Sequence, residues 1–157
     1  MNMYDADKQF EKSGLSLPPV PEPKGLYKPM LITGNYLYLS GHLPLQDDNT
    51  LITGRIGDKL TIEEGKIAAR QVGLNMLSTI KKNFGSLNRI KRVIKIFGMV
   101  NCVPEFEQHP YVINGCSELF ATVWGLDNGV GARSAAGFGS LPGDVPVEIE
   151  AIFELYE

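Results

Sequence analysis

A chain of 157 residues, 43% hydrophobic and 21% charged, has one domain's length and enough apolar residues for a real core, which excludes a disordered chain. Its net charge of −3 and pI of about 5.4 argue against a nucleic-acid binder built on excess positive charge. No apolar run approaches membrane-spanning length, and Cys102, Cys116, His42 and His109 show no metal-ligand spacing, so the expectation is a soluble, cytoplasmic protein with two reduced thiols and no metal.

Tyr4 to Lys12 is predicted to form a short helix anchored by Phe10, and Leu15 to Pro23, with four prolines, cannot be a regular element. Residues 1–23 therefore read as an arm that packs on a domain spanning 24–157. Leu26 to Ile32 and Tyr36 to Ser40 are strand-like, joined by the turn signal Thr33-Gly34-Asn35, and Thr50 to Ile56 is a further strand candidate. Thr61-Ile62-Glu63-Glu64 forms a capping box. Ala69, Val72, Met76, Ile80 and Phe84 then make an apolar stripe at three- and four-residue steps, and Gly85 fits the helix stop. Ile90 to Asn101 is a β-branched strand. A second helix is predicted from His109 to Trp124, with Ile113, Cys116, Phe120 and Val123 facing inward and Gly125 ending it. Ala132 to Gly137 and Val147 to Tyr156 are the last strands. The pattern predicts an α+β two-layer domain with two helices on one face of a mixed sheet.

The last quarter carries the chemistry. Gly131-Ala132-Arg133-Ser134-Ala135-Ala136-Gly137 and Leu141-Pro142-Gly143 precede Val147-Glu148-Ile149-Glu150-Ala151-Ile152. Glu148 and Glu150 share one strand face while Val147, Ile149, Ala151 and Phe153 take the core face. Arginine offers a planar fork that matches a carboxylate, and a nearby glutamate can move protons. On the residues alone, Arg133 is either such a clamp or a surface arginine paired with an acid. Glu148 is either a proton-transfer group or a solvated strand carboxylate.

The Ala-Arg-Ser segment, the Leu-Pro pair and the Val-Glu-Ile-Glu-Ala-Ile strand together resemble the C-terminal signature of the RidA/YjgF family, the reactive-intermediate deaminases. Leu26-Tyr27-Lys28 and Thr33-Gly34-Asn35-Tyr36-Leu37-Tyr38-Leu39-Ser40-Gly41-His42-Leu43-Pro44 are similar to the family's N-terminal segment. The resemblance runs from about Lys24 to the C-terminus. It implies a chorismate-mutase-like fold assembled as a homotrimer with clefts between subunits, hydrolysis of enamines or imines to keto acids and ammonia, and no cofactor. It assigns Arg133 to the substrate carboxylate and Glu148 to the water near the imine carbon, with Tyr27, Ser40, Gly41, Asn114 and Ala135 lining the cleft. Asn114 would come from the second helix of the neighbouring subunit, though its spacing to Arg133 is two residues longer than usual. Tyr27 could equally be a packing aromatic.

Two positions depart from the family. Ala135 stands where many members carry cysteine, and His42 replaces a common glutamine. His42 reads either as a group that titrates near neutrality or as a hydrogen-bonded loop histidine. The partners implied are a small carboxylate-bearing metabolite and further copies of the chain, with neither membrane nor nucleic acid. Three rival readings stand beside the deaminase: a non-catalytic ligand-binding or stress-related protein, an endoribonuclease-type member, and, by fold analogy, a mutase-like enzyme.

Overall fold

The alternation at the C-terminus orients the sheet. In strand β5 (Val147–Leu155), Val147, Ile149, Ala151, Phe153 and Leu155 are buried while Glu148, Glu150, Ile152 and Glu154 point to the other side, so one face of the strand belongs to the core. The computed structural model describes residues 4–157. Its sheet adds β1 (Met30–Thr33), β2 (Tyr36–His42), β3 (Ile90–Asn101) and β4 (Ala132–Phe138) in the spatial order β1-β2-β5-β3-β4. β4 lies parallel to β3, and every other neighbouring pair is antiparallel.

β2 and β3 both run antiparallel to β5 and so run parallel to one another, which demands a crossover. The helix α2 (Ile62–Phe84) supplies it, as α3 (His109–Gly129) does between β3 and β4. Both connections move in the same direction across the sheet, so right-handed crossovers put both helices on one face. The predicted capping box is present: Thr61 Oγ1 accepts from the Glu64 amide at 3.2 Å, and Glu64 Oε2 accepts from the Thr61 amide at 2.8 Å. Val72, Met76 and Ile80 of α2 meet Ile113, Cys116, Phe120 and Val123 of α3 in the core. Phe120, Trp124 and Phe153 close its far end with ring centroids 5.3–5.7 Å apart, and Trp124 Nε1 donates to the Leu87 carbonyl at 3.1 Å.

The expected N-terminal helix is present as α1 (Ala6–Lys12) and packs on α3, outside the helix–sheet layer. The structure corrects the expected elements at three places. Residues 50–56 form no strand, only single bridges at Leu51 and Ile56. The first strand begins at Met30, after Pro29, whose missing amide cannot join a ladder. The helical path breaks at Gly125, where φ is 80° and ψ is 167°, and one more turn follows to Gly129. Among the described residues no helix is long and apolar enough to cross a membrane.

The arm is tied down by Asp7. Its carboxylate accepts from Lys81 Nζ at 2.5 Å, from the Leu87 amide at 3.1 Å and from the Ser86 hydroxyl. Burial pushes this carboxyl up, but these donors outweigh it and hold its pKa below the usual carboxylate value. Asp7→Ala is expected to cost about 1–3 kcal/mol of stability, the range for losing a charged acceptor with its donors left behind. Because the folded pKa is the lower one, that contribution is present above the unfolded carboxylate pKa. It fades as pH falls through the folded value. Urea melts of wild type and variant at neutral and acid pH measure both effects.

Candidate functional site

The expected residues fall into two groups on opposite faces of the sheet. The first is organised by a β-bulge. Leu39 pairs with Ala151 and His42 with Ile149, so Ser40 and Gly41 together face the single residue Glu150. The extra residue pushes the Gly41 backbone toward Glu148: a Cβ on Gly41 would lie 2.1 Å from Glu148 Oε1. Glycine is the residue that permits this approach.

Glu148 is half-buried, and no donor among the described residues hydrogen-bonds its carboxylate. Burial pushes its pKa up, and the Glu150 carboxylate beside it pushes the same way. It opens into a cavity of about 470 Å³ that Tyr27, Ser40, Gly41 and His42 also line, together with Pro21 to Gly25 at the junction of arm and domain. Tyr27 stands 50% exposed at this cavity. The Ser40 hydroxyl is committed, donating to the Lys28 carbonyl at 2.6 Å, and so fixes the segment that carries Tyr27.

His42 is buried beneath the bulge. Its Nδ1 lies 2.6 Å from the Ser40 carbonyl and its Nε2 2.8 Å from Thr79 Oγ1. Burial lowers its pKa, partly opposed by the Ser40 bond. Facing a carbonyl, Nδ1 donates to Ser40, while Nε2 meets the Thr79 hydroxyl, whose oxygen also lies 3.2 Å from the Asn75 carbonyl.

The second group centres on Arg133. Paired with Ile96, it leaves β4 on the helix side, where its Nη1 donates to Asn114 Oδ1 at 2.8 Å and Ser117 Oγ at 3.1 Å, and its Nη2 to the Pro110 carbonyl at 3.3 Å. All three acceptors are neutral. No carboxylate among the described residues lies within ion-pair distance of Arg133. Of the five N–H groups of a guanidinium, the Nε–H and one on Nη2 have no partner among the described residues, and two such donors suit a carboxylate. The expected cleft residue Asn114 is thus held against Arg133 of its own chain, and the two belong to one half of any cleft. Ala135 leaves β4 on the same side, packed against the core.

Sequence reasoning missed Ser117 and Pro110. The signal for Ser117 was present, since it lies three residues beyond Asn114 on one helix face. It also missed that Cys102 and His109 come together, Sγ to Nε2 at 3.5 Å, with Gly137 against both. Burial raises the pKa of both thiols, Cys102 and Cys116. Among the described residues no three side chains gather as metal ligands.

The profile of the family described as "YjgF/chorismate mutase-like, putative endoribonuclease" matches residues 7–138. The chain belongs to the RidA/YjgF family. Its α+β architecture, three helices with a mixed sheet, is shared with solved members. A crystal structure of a protein of unknown function from Agrobacterium tumefaciens superposes with a TM-score of 0.86 at 39% identity, covering 96% of this chain and 94% of that one. The chain is also similar to protein TCP17 of Trypanosoma cruzi, 38% identical over 93% of this chain and 91% of the relative. It is 28% identical to the 2-iminobutanoate/2-iminopropanoate deaminase of Dermatophagoides farinae, over 88% of this chain and 92% of the relative. Beside the two helices on its sheet, this RidA/YjgF chain carries the arm helix α1 expected from its sequence.

Proposed function

We propose that the protein hydrolyses enamine or imine forms of a carboxylate-bearing metabolite to a keto acid and ammonia, as a homotrimer with sites between subunits. The observation that carries this reading is the division of the site. Glu148 opens into its cavity from one face of the sheet, while Arg133 offers a guanidinium edge from the other. One substrate meets both only where a second copy brings its α3–β4 edge to that cavity.

The open sheet face supports the assembly. Leu31, Tyr38, Ile152 and Lys95 form one row across four strands, and Leu31 and Tyr38 are 51% and 41% exposed. An exposed row on a sheet in which three of four side chains carry large apolar bodies suits burial by another subunit. A relative named as an imine deaminase supports the chemistry.

In this reading the substrate carboxylate sits on the free Arg133 edge of one subunit, and its C2 faces Glu148 of the next. The ionised Glu148 takes a proton from water as the water oxygen bonds to C2. The C=N electron pair moves to nitrogen, which takes up a proton. The carbinolamine then collapses: Glu148 takes the hydroxyl proton and passes it to the amine nitrogen, the C–N bond breaks to release ammonia, and the C–O bond becomes the ketone's double bond, which leaves Glu148 ionised again. No step draws on a thiol, so Ala135 is compatible with it, and an imine carbon is electrophilic enough to need no cofactor. A cytoplasmic location suits the two free cysteines.

Ammonia release from freshly generated 2-iminopropanoate tests the activity, and a rate no greater than that of buffer ends it. Salt-dependent RNA binding in its place would favour a ribonuclease. Sedimentation is expected to give a trimer, and a stable monomer at micromolar concentration removes the intersubunit site.

A further inference from the structure

The cavity beside Glu148 is larger than the smallest imino acids require. At about 470 Å³ it lies within the range of roughly 300–1,000 Å³ found for pockets that enclose drug-sized ligands. In the isolated chain a methyl or ethyl side chain fills only a small part of it. Its lining beyond the bulge is mainly apolar, with Leu43, Leu45 and Leu51 from the segment after β2, Pro142 from the turn before β5, and Pro21 and Pro23 from the arm, and it also includes the charged Glu22 and Lys24.

Buried polar groups fix these walls in place. Asn75 is 0% exposed, and its Nδ2 donates to the carbonyls of Leu43 at 3.2 Å and Leu45 at 2.9 Å. Gln71 Nε2 donates to the Leu45 carbonyl at 2.6 Å. The Ile52 amide donates to Pro44 at 3.1 Å and the Gly54 amide to Asp144 at 2.8 Å, tying the Leu51 segment of the wall to its neighbours. The arm is fastened by the buried Ser78 hydroxyl, which donates to the Pro18 carbonyl at 2.8 Å. An apolar chamber held open this way, with a carboxylate at one end, is built to receive an apolar group attached to a reacting centre.

We infer that this chamber takes the substrate's side chain, and that the substrate class is 2-imino acids with branched aliphatic or aromatic side chains, in preference to the alanine-derived one. The inference rests on the imine-hydrolase reading for the reaction and on the cavity alone for the side chain.

Calorimetric titration of the full chain with pyruvate, 2-oxobutanoate, 4-methyl-2-oxopentanoate and phenylpyruvate tests it. The two larger keto acids are expected to bind at least about tenfold tighter than pyruvate, the discrimination that a few buried carbons provide. In Leu51→Trp, which fills the chamber, that ratio is expected to collapse toward one. Pyruvate binding as tightly as the larger acids, or no binding by any of them, overturns the inference, and the wild-type titrations alone decide this if the variant does not fold. Ammonia release from imines generated from alanine, leucine and phenylalanine separates the two readings. Turnover of the alanine-derived imine with no gain for the others leaves the hydrolase and removes the side-chain assignment. Graded keto-acid binding with no ammonia from any imine removes the hydrolase and leaves the chamber as a binding site for the same class.

Discussion

Glu148→Gln is expected to slow imine hydrolysis by about a hundred- to ten-thousandfold, the usual contribution of one positioned acid–base group. The amide keeps the shape of the side chain next to Gly41 but cannot take a proton from water. The same substitution is expected to make the protein more stable near neutral pH. Folded Glu148 holds its proton more tightly than the unfolded chain does, because burial and then Glu150 disfavour the charged form. The folded state therefore binds more protons between the unfolded and folded pKa values, and stability falls as pH rises through that window. Glutamine has no charge to bury. The variant should melt above wild type near pH 7, and this difference should vanish at pH values below the ordinary carboxylate pKa of about 4.3. Opposite movements of turnover and melting temperature are the mark of a strained catalytic group. Unchanged turnover assigns Glu148 to structure, and a variant less stable at neutral pH removes the burial argument.

Arg133→Ala is expected to weaken keto-acid binding at least about ten- to a hundredfold, the value of a charge-assisted hydrogen-bonded pair of roughly 1.5–3 kcal/mol. Arg133→Lys should restore only part of it. A lysine keeps the charge but cannot hold Asn114, Ser117 and the Pro110 carbonyl while offering two further donors to a ligand. Binding should also discriminate against the corresponding amide, which has no negative charge. The rival account, an arginine tied to an acid of its own chain, finds no such acid among the described residues. Calorimetric titration of wild type and both variants, with melting curves alongside, distinguishes the two. Equal affinity in wild type and Arg133→Ala ends the carboxylate anchor. A loss of stability with no loss of ligand selectivity makes Arg133 a strut for α3.

Much of this protein is determined by its sequence alone. The capping box at Thr61, the apolar stripe that follows it, the β-branched run from Ile90 and the strict alternation from Val147 each act through near neighbours, so periodicity and local hydrogen bonding reveal them. The side of β5 on which Glu148 stands follows from the same alternation. The motif around Arg133 and the Ser40-Gly41 pair likewise point to the family without coordinates. Residues 50–56 deceived because their apolar side chains serve the core at Ile56 and a cavity wall at Leu51, while their backbone makes only single bridges at these two positions.

Tertiary structure decided the rest, because those features depend on residues far apart in the chain. Only the pairing of β2 with β5 shows that a bulge drives Gly41 against Glu148. Only the packing of α3 on β4 shows Arg133 braced by three neutral acceptors, with guanidinium donors to spare. The sheet also separates Arg133 from Glu148, a fact that linear spacing cannot carry: fifteen residues of chain say nothing about which face each side chain leaves. Composition could not show the chamber formed by Leu43, Leu45 and Leu51 beside a proline-rich arm, because its walls come from three distant segments brought together by the buried amide of Asn75 and the hydroxyl of Ser78.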